Sequence, residues 1–298
     1  MQHSSPLLCL PAKRLWAGLA LTLAMASMAC AQESDAEPLA PTDTATTDTA
    51  SAPSRSKVQE QSLERLLPAT QQRRLDIDDQ AFLGLFLPAA RPKALGSIIL
   101  IAGQDEHADW PVLIGPARRQ LSAEGWHTLA ISLPERGSAE PGLGDEQSTS
   151  QELQYRTQVL ARIQAARQVL EAEGGADKNL PIVLLGRGEG ALWALIAAAE
   201  TGSPPTAALI LQELPHNAEG ETTSTLLLEQ WAGPTYDILI SPAEHAEARK
   251  LQARRLAHNR YQQLIWPQSG HSDLKQQMLI KRVGGWLKRA LSETPGNA

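Results

Sequence analysis

The chain has 298 residues, 42% of them apolar, 20% charged and only 4% aromatic, with 27 basic against 33 acidic side chains and a formal net charge of −6. An acidic chain without a basic block is not built to hold nucleic acid, and its apolar content suits a globular fold rather than a wholly disordered one. Its two cysteines, Cys9 and Cys30, both lie in the first 31 residues, so a chain cleaved after Ala31 has neither a disulfide nor a catalytic thiol.

The N-terminus reads as an export leader. Lys13 and Arg14 precede the apolar stretch Leu15 to Ala29, and Ala29-Cys30-Ala31 is an A-x-A cleavage site, which places the mature start at Gln32 and the product in the periplasm. The alternative is a lipoprotein anchored through Cys30, against which Ser27 stands where a lipobox carries a large aliphatic residue. The apolar stretch is shorter than the roughly 20 residues of a membrane-spanning helix, so no span is expected in the mature chain. Residues 32–57 are Ala, Thr, Ser, Pro and Asp with almost no large apolar side chain, a composition that cannot offset its ordering entropy; they read as a disordered linker. One domain is expected over 58–298, with its globular part between Val58 and about Leu291.

Arg73–Ile77 and Ala81–Leu87, joined by Asp78-Asp79-Gln80, predict an opening hairpin. Ser97–Ala102 is continuously apolar apart from its first residue, the mark of a strand covered on both faces and hence of a parallel sheet. A helix follows in the second half of Pro111–Gly125, then a strand over Trp126–Leu133 that Pro134 ends. Glu135–Ser150 reads as a polar loop before a long helix marked by Leu153, Leu160, Ile163, Ala166 and Leu170 and stopped at Gly174-Gly175. Further buried strands are expected at Ile182–Leu185, Ala207–Leu211, Tyr236–Ile240 and Tyr261–Trp266. Helices are expected at 190–200, 222–231 and 243–257, and a closing helix carries Leu279, Val283, Trp286, Leu287 and Ala290 on one face. Trp193 and Trp286 read as core. Strands alternating with helices after a hairpin predict an α/β fold, α/β-hydrolase-like, with an eight-stranded, mostly parallel sheet and helices on both faces.

The chemistry concentrates at Gly186-Arg187-Gly188-Glu189-Gly190, between an apolar strand and a helix. The spacing is that of the G-x-S-x-G nucleophile elbow, which lifts a serine hydroxyl above the sheet edge. Here Gly188 holds the serine's place and supplies no oxygen, sulfur or nitrogen for covalent catalysis. The later positions persist: His271 follows the last strand, and Glu244 or Glu213 follows an earlier one, in the order nucleophile, acid, histidine. His271 and Glu244 are therefore vestigial catalytic candidates, with a loop histidine and a solvated helix start as the plainer alternative. Ser132 ends a strand that is not adjacent to the Gly188 strand in the expected sheet order. Glu189 starts a helix, where its charge meets the helix dipole.

Gly186-x-Gly188-x-x-Ala191 also fits a dinucleotide-binding turn, but it comes after at least four strands and puts Glu189 where a pyrophosphate would sit. No cofactor is expected. Asp105, Glu106, His107 and Asp109 gather four metal-ligand types, yet no second cluster at ligand spacing supports a metal centre, and a solvated loop is expected. Trp110-Pro111 after it either covers a pocket or starts a helix with Pro at its first position.

Ala108-Asp109-Trp110-Pro111, Gly125–Pro134 and Gly186–Ala191, in this order and spacing over most of 58–291, resemble a family of exported proteobacterial proteins with the α/β-hydrolase fold, classed as a domain of unknown function. The resemblance implies the fold and carries no substrate or catalytic residue. The sequence thus leads to a periplasmic, non-catalytic protein that binds an unidentified small molecule, lipid or envelope protein. The alternative is an esterase-like hydrolase with a displaced nucleophile or a His-activated water.

Overall fold

The computed structural model describes residues 54–77, 80–137, 145–174, 179–200, 205–216, 223–242, 244–256, 260–267 and 273–292. Helix α1 (Arg55–Leu66) and a single 3-10 turn (Ala69–Gln71) lead into β1 (Gln72–Ile77) and β2 (Gln80–Leu87). Then follow β3 (Gly96–Ile101), α2 (Ile114–Glu124), β4 (Trp126–Ile131), α3 (Asp145–Glu173), β5 (Ile182–Arg187) and α4 (Glu189–Ala199). The chain continues through β6 (Ala208–Gln212), α5 (Ser224–Gln230), β7 (Thr235–Leu239), α6 (Glu244–Arg255), β8 (Tyr261–Ile265) and α7 (Asp273–Ser292).

All eight strands form one sheet in the order β1-β2-β4-β3-β5-β6-β7-β8. β2 runs antiparallel to β1 and β4, and every other pairing is parallel. This is the expected α/β-hydrolase-like architecture. The β3 run is buried at every position because both faces are covered. Ile98 and Leu100 join Val183, Leu185, Ile210 and Ile238 under α2 and α7, where Leu121, Ile280, Val283 and Trp286 close the layer. Ile99 and Ile101 join Leu184, Leu209 and Leu211 under α3 and α4, against Val159, Ile163, Leu170 and Trp193. Each fully buried Leu or Ile contributes roughly 1.5–3 kcal/mol of transfer free energy, so these two layers hold the sheet and leave its C-terminal edge to the loops. Trp193 and Trp286 are core, as expected.

Helix ends follow local chemistry. Gly125, at φ +108°, terminates α2 by donating its N–H to the carbonyls of Leu121 and Ser122, the left-handed C-cap that glycine accommodates without a Cβ penalty. The start of α2 corrects the reading of Pro111 as a first helical residue. Leu113 adopts φ +68°, ψ −58°, and Ile114 N–H bonds Val112 O at 2.9 Å, a γ-turn that delays the helix to Ile114. α3 begins at Asp145, inside the stretch read as loop, because its first turns are exposed at residues 147–151 and carry no apolar period. α1 had no sequence signal: Leu63 is its one buried residue, and it reaches back to Arg55, into the last residues of the stretch read as linker.

Candidate functional site

The loop between β5 and α4 keeps the geometry of a nucleophile elbow. Gly188 sits at φ +54°, ψ −124°, outside the regions L-residues favour. Its N–H donates to Gln212 O at 2.8 Å, and its carbonyl accepts from Ala191 N at 3.0 Å. The flanking glycines are dictated by packing. A Cβ on Gly186 would come within 2.5 Å of the Ala191 backbone nitrogen, and one on Gly190 within 2.5 Å of Ile101 O. A Cβ on Gly188 would meet nothing within 4 Å. The turn therefore needs glycine at 186 and 190 to close, whereas at 188 glycine eases only the backbone torsion, and the space a side chain would take is open.

Around the elbow the arginines are held by carboxylates. Arg187, the residue before the tip, pairs with Glu106 on the loop after β3 and with Glu213 Oε2 at 3.3 Å beyond the end of β6. Glu106 Oε2 also accepts the N–H of Gly103 at 2.9 Å. In this fold, backbone N–H groups of the loop after the third strand contribute to the oxyanion hole; here one of them is engaged by the protein's own carboxylate. Arg136 pairs with Glu189 and with Glu152 at 3.4 Å, and stacks 4.5 Å above the Tyr155 ring. Tyr155 donates to Gln104 Oε1 at 2.8 Å and meets Trp193 edge-on at 5.7 Å. Burial, with Glu189 beside it, pushes the Tyr155 phenol up to about 12, which keeps it a neutral donor.

The N-terminal end of α1 lies over the neighbouring strand ends. Arg55 pairs with Asp105, and Ser56 donates to Glu135 Oε2 at 3.2 Å. Between α1 and the loops after β3 and β4 remains a cavity of about 20 Å³, room for about one water.

His271 lies outside the described residues. Glu244 opens α6, as read from the sequence, and its side chain also lies outside them. Glu213 is placed beside the elbow at a positive φ of +55°, with Arg187 on its carboxylate. Ser132 follows β4, which β3 separates from the elbow strand, and its carbonyl accepts from Arg162 at 2.9 Å. Glu189 takes the first position of α4, where Arg136 and the Trp193 indole N–H at 3.4 Å engage it.

The acidic loop after β3 is spent on cations and backbone. Besides the Glu106 and Asp105 pairs, Asp109 holds Arg118 at 3.0 Å and Arg119 at 2.8 Å. His107 Nδ1 accepts the Asp109 N–H at 3.2 Å, and burial lowers the His107 pKa despite Asp109. Among the described residues no group of three His, Cys, Asp or Glu side chains is placed to hold a metal. Trp110 is partly buried and packs against the α2/α7 core layer. Arg136, Tyr155 and α1 carry no sequence motif that marks them as parts of this edge: Arg136 follows a predicted strand end, Tyr155 lies within the predicted long helix, and α1 precedes the first predicted strand. Among the described residues no helix is long and apolar enough to cross a membrane.

Solved structures share this architecture. Est1E from Butyrivibrio proteoclasticus superposes with a TM-score of 0.54 at 14% identity, covering 75% of this chain and 100% of its own. The Pyrococcus furiosus esterase Pf2001 gives 0.55 at 13% identity, covering 74% and 90%. An esterase domain from Rhodothermus marinus gives 0.52 at 12%, covering 74% and 98%. At such identities the likeness shows the fold alone. Comparison with curated proteins finds no match. The sequence profile of one family matches residues 15–152 and 144–289, nearly the full length, and the chain accordingly belongs to the family described as protein of unknown function DUF3530.

Proposed function

We propose that this chain is an envelope protein that uses the α/β-hydrolase fold for binding and has given up acyl transfer, its ligand being a small molecule, a lipid or another envelope protein. The observation that carries this reading is Gly188. It occupies the tip of a turn whose other two glycines are still required by packing, and the space for a reacting side chain is open. Covalent catalysis at that point has no nucleophile. The ion pairs around the elbow support the same reading: Gly103 N–H, in the loop that serves the oxyanion hole elsewhere, is committed to Glu106.

The competing reading is an esterase-like hydrolase using a displaced nucleophile or a water activated by His271. It is favoured by the retained order of acid and histidine in the sequence. Hydrolysis of p-nitrophenyl acetate and butyrate separates the two. The binding reading expects rates equal to those of buffer, unchanged by His271→Ala; turnover that His271→Ala abolishes would establish the hydrolase instead. Location in the periplasm rests on the leader. Intact mass of the exported product should give an N-terminus at Gln32, whereas a diacylglyceryl adduct on Cys30 would assign a lipoprotein.

A further inference from the structure

Glu106 is the feature of this edge that the fold does not require. Its side chain is only 9% exposed, although it sits in a surface loop. Its carboxylate lies in a cradle of three parts. Gly103 N–H donates to Oε2 at 2.9 Å, the Arg187 guanidinium meets Oε1, and the absent Cβ of Gly103 leaves room for the carboxyl group. A Cβ on Gly103 would stand 2.9 Å from Oε2 and 3.0 Å from the carboxyl carbon, closer than side chains pack, and 3.3 Å from Arg187 O at the base of the elbow. The cradle therefore sits against the backbone of Arg187, the residue before Gly188. Arg187 Nε is buried and has no hydrogen-bond partner among the described residues, which leaves one more donor on the same guanidinium.

We propose that Glu106 is an internal stand-in for the ligand of this site, and that the ligand binds through a carboxylate. The inference rests on the reading of this edge as a binding site. A backbone N–H and a guanidinium converging on two oxygens form a receptor for that group, since charge-assisted hydrogen bonds of this kind are about twice as strong as neutral ones. The exchange is balanced in charge: an incoming carboxylate replaces the one that leaves, and Arg187 keeps Glu213 throughout. Glu106 can leave because the loop carries it. Asp105 before it stands at φ +64° and is about half exposed, held by the exposed Arg55, so the loop end is tied by a solvent-screened pair.

The test is thermal unfolding of the wild type, Glu106→Ala and Glu106→Ala/Arg187→Gln in sodium acetate, propionate, acetamide and sodium chloride, the salts at matched ionic strength. In Glu106→Ala the midpoint should rise saturably with acetate and propionate but not with acetamide or chloride. The wild type should need about ten-fold more carboxylate, because its own side chain competes intramolecularly, and the double variant should not respond. A folded Glu106→Ala that ignores carboxylates, or responds equally to acetamide or chloride, overturns the proposal. If Glu106→Ala does not fold in buffer, recovery with acetate and not with acetamide supports the proposal; recovery with neither overturns it. Ester turnover by the wild type would refute the non-catalytic reading whatever these titrations show, and unresponsive variants without turnover would refute the carboxylate proposal alone.

Discussion

Replacing Gly186, Gly188 and Gly190 in turn by alanine separates two reasons for glycine in one turn. At 186 and 190 the added methyl meets backbone at 2.5 Å, Ala191 N in the first turn of α4 and Ile101 O at the end of β3. Neither neighbour can rotate away, so β5, α4 or β3 must shift, and each substitution should cost about 3 kcal/mol, the upper end of ordinary overpacking. At 188 the methyl meets nothing, and the cost is torsional. Holding a non-glycine residue at φ +54°, ψ −124° costs about 1–3 kcal/mol, offset by about 0.4–1 kcal/mol from the reduced entropy of the unfolded chain, a net loss of about 1–2 kcal/mol. Urea titration at 25 °C followed by far-ultraviolet circular dichroism reads these values from the transition midpoint at constant slope; in thermal scans 1 kcal/mol corresponds to about 2–4 °C for a domain of this size. Gly188→Ala should unfold clearly later than either neighbour variant. Equal losses at all three positions, or a larger loss at 188, would refute the claim that the middle glycine is sterically free.

Two further outcomes test the rest of the fold. Asp237 on β7 and Arg249 on α6 are both fully buried, 2.9 Å apart, and the same carboxylate accepts from Tyr261 at 2.6 Å. Asp237→Asn or Arg249→Met alone should therefore cost about 3–5 kcal/mol, and the double variant less than the sum of the two, because one change leaves an uncompensated buried charge; additivity in a double-mutant cycle would show that the pair is not coupled. Burial lowers the pKa of His107, His127 and His245, and Nδ1 of His107 and of His127 accepts a backbone N–H at 3.2 Å, so folding favours the neutral form of these rings. The unfolded chain then takes up protons first as pH falls. Stability should be fully present above the ordinary histidine range and decline as pH drops through it. Urea midpoints at pH 7.5 and 5.5 check the sign, and a higher midpoint at pH 5.5 would contradict it.

How much of this was legible depended on the range of the interactions involved. β3 and β5 announced themselves because burial on both faces demands an unbroken apolar run, and the elbow was readable because its small residues, strand and helix are neighbours in sequence. The pairings that close the edge were not: Glu106 and Arg187 are 81 residues apart, and only the course of the loop after β3 brings them together. α1 escaped because its 12 residues carry few apolar side chains, Val58, Leu63 and Leu66, of which Leu63 alone is buried. The lone Asp237 within Tyr236-Asp237-Ile238-Leu239 was a usable sign, since a charge in a strand buried on both faces needs a partner. Which cation supplies it could be learned only from the packing of α6.

Whether the Gly188 turn still belongs to a working nucleophile elbow is decided by intact-mass measurement after treatment of the full chain with a fluorophosphonate probe, wild type beside Gly188→Ser. The wild type should carry no adduct, since Gly188 offers the probe nothing to modify. In the folded variant a single adduct on the introduced hydroxyl would show that the remaining elements can still activate a serine, and its absence would mean that only the shape of the turn survives. An adduct on the wild-type protein that disappears with His271→Ala would overturn the non-catalytic reading, because it would reveal a His271-activated serine elsewhere in the chain.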